Sequence, residues 1–311
     1  MEARYPRAAY VHVPFCISKC FYCDFSSYPG MESVFADYVR ALIVEIKRSA
    51  SSGPAGPHTD PEDTPAPPEH RPPLETVYFG GGTPTLLPAS DLAAVLGVIR
   101  HFLGIAPDAE VTVEANPGTV HHPKLLRLRQ AGFNRLSLGV QSFDDDFLQS
   151  IGRAHTRLQA LDAYEAARQA GFDNVGIDLI FALPGQTIEH WEHTLDTALE
   201  LWPKHISLYE LSIEEGTRFA QLCSEGRLQP LDEDTQLTMY EMAIEKLTQA
   251  GYEHYEVSNF ARPGFYSRHN TVYWMNQPYY GFGAGATSYV AGVRAKRLAD
   301  PGRYAAAIES G

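Results

Sequence analysis

Ala8-Ala-Tyr-Val-His-Val13 is an apolar run that reads as a strand, and Cys16-Ile-Ser-Lys-Cys20-Phe-Tyr-Cys23 closes it with three cysteines in eight residues. The spacing is C-x3-C-x2-C, on a short loop at the carboxyl end of the strand. Three thiolates on one tight loop hold three corners of an iron–sulfur cube. A protein-only [4Fe–4S] site takes four cysteines, so a site with Cys16, Cys20 and Cys23 leaves its fourth iron open for an exchangeable ligand. The remaining cysteine, Cys223, stands about two hundred residues away in a helical stretch, where it reads as a small packed apolar residue.

Other readings of the loop fit less well. A structural zinc site takes four N or S ligands, usually as two paired clusters, and no second Cys/His pair follows. His12 would complete a Cys3His set, but it belongs to the strand beside the loop. A disulfide framework expects a secreted context, and the start Met1-Glu-Ala-Arg-Tyr-Pro-Arg7 lacks the apolar core of a secretory signal. Zinc therefore stays as the alternative to an open-site cluster.

Outward from this loop, the pattern alternates. Met31 to Arg48 has helical spacing (Val34, Tyr38, Leu42, Ile46). Thr76 to Phe79 is a short strand ending in Gly80-Gly-Gly-Thr-Pro-Thr85, and Pro88, Ser90 and Asp91 open a helix with Leu92, Val95, Leu96, Ile99 and Phe102 on its apolar face. Strands are expected over 110–115, 135–140, 175–181 and 205–211, with helices over 121–131, 158–170, 188–201 and 235–250. Six strand–helix units in series imply a parallel sheet, because a helical crossover returns the chain in the same direction. An open or partial barrel fits this better than a doubly wound sheet, although the pattern barely separates the two.

In such folds chemistry sits at the carboxyl ends of the strands. Here those ends carry the cysteine loop, Gly80 to Thr83, Glu114 with Asn116, Gln141 with Ser142, Asp178, and Ser212. Any one alone is unremarkable, since strand ends often carry polar residues. Their recurrence at successive strand ends predicts one shared mouth.

The 311 residues are 44% hydrophobic, enough for a full core, and the formal charge of −13 offers no basic run for nucleic acid. No apolar stretch reaches the ~18 residues of a membrane span, and a cytoplasmic location is expected. Residues 49–75 are foreign to the rest: Ser49 to Pro73 holds eight prolines and no periodicity, so a disordered proline-rich insertion is expected there.

Five further stretches carry a resemblance. Tyr10-Val-His-Val-Pro-Phe-Cys16, Phe79-Gly-Gly-Gly-Thr-Pro-Thr85, Val113-Glu-Ala-Asn-Pro117, Asn134-Arg-Leu-Ser-Leu-Gly-Val-Gln141 and Ile177-Asp-Leu-Ile-Phe-Ala-Leu-Pro-Gly185 resemble the radical S-adenosylmethionine superfamily. Within it they resemble the oxygen-independent coproporphyrinogen III oxidase-like family. The match runs from about Tyr10 to the end, interrupted by the insertion. It implies an α/β fold, a partial (β/α)6 TIM-like barrel over residues 1–230, with a small α+β extension over 231–311 that is expected to be truncated relative to the family. The open iron would chelate the amine and carboxylate of S-adenosylmethionine. Gly81, Gly82 and Thr83 would lie along its methionine part, and Tyr10, Tyr22, Glu114, Gln141, Arg153, Asp178 and Ser212 fall where the oxidase contacts its two S-adenosylmethionine molecules. A guanidinium such as that of Arg153 pairs well with a carboxylate; the alternative for it is a surface ion pair.

The family divides, and two departures matter. The oxidase carries a further cysteine two residues beyond the third, where this chain has Phe25, and an N-terminal arm where this chain has nine residues before Tyr10. Both departures match the sister branch, haem chaperones of the HemW type. So does Ser267-Arg-His-Asn-Thr-Val-Tyr-Trp274, which contains H-N-x-x-Y-W, followed by Tyr280-Gly-Phe-Gly-Ala-Gly-Ala-Thr-Ser288. In that branch the motif is linked to haem, which implies His269 as a haem contact, with Tyr273 and Trp274 against the porphyrin face. The alternative is a hydrogen-bonded core histidine. The implied function is to bind a cluster, S-adenosylmethionine and haem and to deliver haem to an apo-haemoprotein, with an electron donor as a second partner. The alternative function is oxidative decarboxylation of coproporphyrinogen III.

Overall fold

All six apolar runs form strands: β1 (Ala8–Val13), β2 (Leu74–Gly81), β3 (Ile105–Ala115), β4 (Arg135–Gln141), β5 (Asn174–Phe181) and β6 (His205–Glu210). Between and after them come α1 (Phe35–Ser51), α2 (Ala89–Phe102), α3 (His122–Ala131), α4 (Asp145–Ser150), α5 (Arg157–Gln169), α6 (Ile188–Leu201), α7 (Arg218–Ser224) and α8 (Glu233–Gln249). The computed structural model describes residues 5–51 and 71–310. Ser49 to Ser51 extend α1, and Leu74 and Glu75 open β2, so the expected insertion overlaps ordered elements at both ends. Residues 52–70 of it lie outside the described residues.

Local chemistry sets the helix ends. Thr156 and Gln159 form a capping box at the start of α5, and Thr187 and His190 form another on α6. Each satisfies backbone N–H groups that the first turn leaves orphaned. Gly132 ends α3 in the left-handed region with φ 110, the conformation a glycine adopts without steric cost.

The sheet has nine strands once the later elements join: β7 (Glu253–His254), β8 (Asn259–Ala261) and β9 (Tyr280–Phe282). Its order is β9-β1-β2-β3-β4-β5-β6-β8-β7, parallel from β9 to β6 and antiparallel beyond. The six predicted strands lie side by side in chain order. A doubly wound sheet reverses direction at a switch point, and this one does not. Crossovers of one hand, all stepping the same way, put the crossover helices on one face, which leaves the other face as the concave interior of an open barrel.

The two faces differ in chemistry. Toward the helices the strands present Val11, Val77, Phe79, Val113, Leu136, Leu138, Ile177, Leu179, Ile206 and Leu208, packed with Leu42, Leu92, Leu96, Leu128, Ala167, Trp191 and Leu195 in one core. Toward the interior they present Tyr10, His12, Tyr78, Thr112, Glu114, Arg135, Ser137, Asp178, His205 and Ser207. Met239, Ala243, Leu247, Phe260, Phe282 and Tyr304 belong to the same core. Residues 231–310 are thus woven into the barrel, supplying strands to both sheet edges. The segment also holds α9 (Arg268–Trp274), the hairpin β10 (Thr287–Val290) with β11 (Val293–Lys296), and α10 (Pro301–Ser310).

Candidate cofactor-binding cleft

The carboxyl ends of the strands enclose a cleft of about 340 Å³, within the size range of small-molecule sites. Cys16, Cys20 and Cys23 line it, with Tyr22, Gly81, Gly82, Thr83, Glu114, Gln141, Arg153, Asp178 and Ser212. The expected shared mouth is therefore present, assembled from residues up to 196 positions apart in the chain, Cys16 to Ser212. Among the described residues no three His, Cys, Asp or Glu side chains gather closely enough to share one metal ion. A cubane takes its three thiolates on three separate irons, which a looser set around one cleft can supply.

Glycine at positions 81 and 82 lets the β2 loop pass beneath the cysteine loop. A Cβ on Gly82 would lie 2.6 Å from the Phe15 carbonyl oxygen and 3.0 Å from the Cys16 sulfur. Gly81 has φ 116, and a Cβ there would lie 2.6 Å from the His12 ring. The Gly82 N–H donates to Val13 O at 2.9 Å, pinning the loop to the end of β1.

A chain of polar contacts ties the cysteine loop to the strand ends. The Cys16 sulfur lies 3.7 Å from Thr83 Oγ1, which accepts from Asn116 Nδ2 at 2.9 Å. Asn116 Oδ1 in turn accepts from Arg153 Nη2. Arg153 also donates from Nη2 to Gly139 O at 2.6 Å, and its Nη1 lies 3.5 Å from the Cys20 sulfur. Arg153 makes no surface ion pair; it reaches inward to the cleft.

The carboxylates on the cleft floor are pushed toward their neutral forms. Burial raises Glu114 to about 7, against hydrogen bonds from Tyr78 Oη at 2.7 Å and Gly81 N at 3.1 Å that favour its charge. Burial likewise raises Asp178, opposed by hydrogen bonds from Ser207 and Ser137 and by Arg135. Burial also raises the thiols of Cys16 and Cys23. Buried polar atoms at the cleft, Gln141 Oε1 and Arg153 Nε among them, have no protein partner. A bulge between Gly139 and Gln141, with Gln141 at φ 70, sets that side chain at the rim. Three cysteines around one cleft, a side-chain-free rim and unpartnered polar atoms suit a cluster beside a polar nucleoside ligand.

Of the residues expected around S-adenosylmethionine, Tyr10 is not on the cleft lining. Tyr10 points into the barrel interior, where its hydroxyl lies 3.0 Å from His12 Nδ1, and His12 Nε2 donates to Ser26 O at 3.0 Å. It reaches the cysteine loop only through that pair. His269 lies elsewhere, at the opposite end of the barrel. It sits on α9, which closes the amino end of the barrel, and is only 1% exposed. Its Nδ1 is 2.9 Å from Thr76 Oγ1 and its Nε2 is 2.9 Å from Tyr273 Oη, while its backbone N–H donates to Glu110 at 3.1 Å. Burial, then Arg135, pushes it down to about 3. As folded it is a neutral core histidine with both ring nitrogens engaged. At about 3.3 Å per residue, Thr76 lies about 16 Å down β2 from Gly81. What the end of α9 and its C-cap expose is Trp274 and Met275, 60% and 65%, with Tyr273 at 39%.

Ser137, Tyr209, Glu210 and Glu214 also line the cleft and were missed. Ser137 pairs in register with Glu114, and Tyr209 with Ile180, so interior-facing parity would have found them. Tyr78 was missed for the same reason. Cys223 lies half-buried on α7, away from the cleft.

The Radical SAM superfamily matches over residues 10–198. The heme chaperone HemW of Bacillus subtilis is 41% identical over 290 residues, 93% of this chain and 72% of that one. The chain belongs to the HemW branch of the radical SAM superfamily. The heme chaperone HemW of Synechocystis is 42% identical, across 98% of this chain and 71% of its own. Among solved structures, the Escherichia coli coproporphyrinogen III oxidase HemN, described as a radical SAM enzyme, superposes with a TM-score of 0.80 at 26% identity, covering 99% of this chain and 71% of that one. That likeness bears out the mixed α/β fold with its central parallel sheet. Among the described residues no helix is long and apolar enough to cross a membrane.

Proposed function

We propose that this chain is a haem chaperone. In this reading Cys16, Cys20 and Cys23 hold a [4Fe–4S] cluster, the cleft holds S-adenosylmethionine, and haem docks at the α9 end before passing to an apo-haemoprotein. The observation that carries it is the separation of the two features. The cysteine cleft lies at the carboxyl ends of the strands, and the H-N-x-x-Y-W helix lies at their amino ends. A decarboxylase must bring a porphyrinogen propionate into the cleft, whereas a carrier has no such need.

The cleft itself supports this over the oxidase reading. Its mouth carries Asp24, Glu210 and Glu214, and among the described residues Arg153 is the only arginine or lysine along its lining. Like charges there disfavour a ligand bearing four carboxylates. Phe25 stands 61% exposed on the rim where the oxidase has its further cysteine.

The chain's own residues would do the following. The Gly81–Thr83 rim admits a ligand backbone closely, and Arg153 offers a fork for a carboxylate. Gln141 and Asp178 offer hydrogen-bonding groups to a ribose or base, and Ser212 lies at the mouth. Bound together, cluster and S-adenosylmethionine would supply one-electron chemistry at the sulfonium centre. At the far end, Tyr273 and Trp274 offer flat aromatic surface to a porphyrin, and His269 becomes a ligand only once it gives up a ring hydrogen bond. A cytoplasmic setting, with a one-electron donor as second partner, accords with the reactive cluster. The test is anaerobic reconstitution with iron and sulfide, followed by haem titration and a coproporphyrinogen assay on one sample. Haem binding without protoporphyrinogen formation is expected; turnover of the porphyrinogen would establish the oxidase instead.

A further inference from the structure

Between the two ends, three rings stack inside the barrel. Tyr78 lies 5.1 Å from the His269 ring at 27°, Tyr10 lies 6.1 Å from Tyr78 at 28°, and Tyr10 lies 6.4 Å from His269 at 30°. Each ring has an arm to one end of the molecule. Tyr78 Oη donates to Glu114, the carboxylate that also accepts the Gly81 N–H on the cleft rim. Tyr10 Oη bonds His12, which bonds Ser26 O just beyond the cysteines. His269 Nε2 bonds Tyr273, whose ring is part-exposed on α9.

We propose that this stack couples the two ends of the barrel, so that S-adenosylmethionine in the cleft weakens haem binding at α9 and haem weakens S-adenosylmethionine binding equally. The inference rests on the haem-chaperone reading above. Its direction follows from the contacts. A haem iron can take His269 only after the imidazole leaves Thr76 or Tyr273, and that movement removes the ring on which Tyr78 packs. Tyr78 then loses its orientation toward Glu114, and the Gly81 rim loosens. Conversely, a ligand seated on that rim fixes Glu114 and Tyr78 and holds His269 in the stack. A shared two-state element of this kind gives reciprocal coupling as a thermodynamic necessity. Tyr78 is thus a positioning residue, acting on each site through Glu114 and His269.

The experiment is a pair of anaerobic titrations on reconstituted wild-type protein. Ferric haem is titrated by its Soret band with and without saturating S-adenosylmethionine, and S-adenosylmethionine is titrated by calorimetry with and without haem. Haem affinity is expected to fall about tenfold with S-adenosylmethionine present, inside the ~5–150-fold range usual for coupled sites, with the same factor in reverse. Tyr78→Phe keeps the ring and removes only the hydroxyl, and should bring the factor close to one. Equal haem affinity with and without S-adenosylmethionine in the wild type, or undiminished coupling in Y78F, overturns the inference and leaves the chaperone reading standing. Absence of haem binding by the wild type removes both. The wild-type titrations need no variant, so a misfolded Y78F chain would not shield the claim.

Discussion

Arg153 Nη1 lies 3.5 Å from the Cys20 sulfur while Nη2 of the same guanidinium holds Gly139 O at 2.6 Å. One side chain therefore joins the cysteine loop to the end of β4. Its Nε has no protein partner although it is buried, so part of its donor set is left for a ligand. An ammonium cannot reproduce that fork. Arg153→Lys should weaken S-adenosylmethionine binding by about tenfold, since a charge-assisted hydrogen bond contributes about 1.5–3 kcal/mol. Calorimetric titration of the reconstituted protein reads this directly, and unchanged affinity would assign Arg153 to the loop alone.

Gly82 has no room for a side chain. Its Cβ would press on a backbone carbonyl, Phe15 O at 2.6 Å, which has no rotamer to change. Gly82→Ala should destabilise the fold by about 1–3 kcal/mol and lower the iron recovered after reconstitution. Thermal melts with iron analysis would show whether both changes occur together.

Cys16, Cys20 and Cys23 are half-buried and sit on a loop outside the main core. Replacing any one with alanine should abolish cluster absorbance while leaving the metal-free melting transition within a few degrees of wild type. Collapse of the fold in the metal-free alanine variants would mean that the loop carries structure rather than a cofactor.

Glu114 gives a pH signature. Burial raises its folded pKa to about 7 from the ordinary glutamate value of 4.5. Below the lower value both states are protonated and the group has no effect. Between the two values the unfolded chain has released its proton and the folded one has not, so stability falls as pH rises, by a few kcal/mol, and levels off above about 7. Glu114→Gln should remove this slope. The informative quantity is the difference between the two denaturation curves, in which groups that do not interact with Glu114 cancel, while Asp178, whose charge acts on Glu114, contributes to the same slope.

How far the sequence led can be seen residue by residue. The six main strands were legible because each is an apolar run bounded by glycine or proline. β9 was not, because Tyr280-Gly-Phe282 becomes a strand only by pairing with β1 across the sheet, a tertiary fact with no local signal. Cleft residues at strand ends were found by position, whereas Tyr78 and Ser137 lie inside strands. Nothing in a buried parallel strand marks which face is concave until the curvature is known. The setting of His269 was hidden for a related reason: a motif can announce a histidine, but the topology decides which end of the barrel it occupies and which partners its nitrogens take.

The central claim is that this chain carries haem and does not decarboxylate a porphyrinogen. The most direct measurement is a single anaerobic incubation of the cluster-loaded protein with S-adenosylmethionine, a one-electron reductant and coproporphyrinogen III, beside a ferric haem titration of the same preparation. The account predicts a saturable Soret shift and no protoporphyrinogen. Protoporphyrinogen formed over many turnovers, with no haem retained, would contradict it.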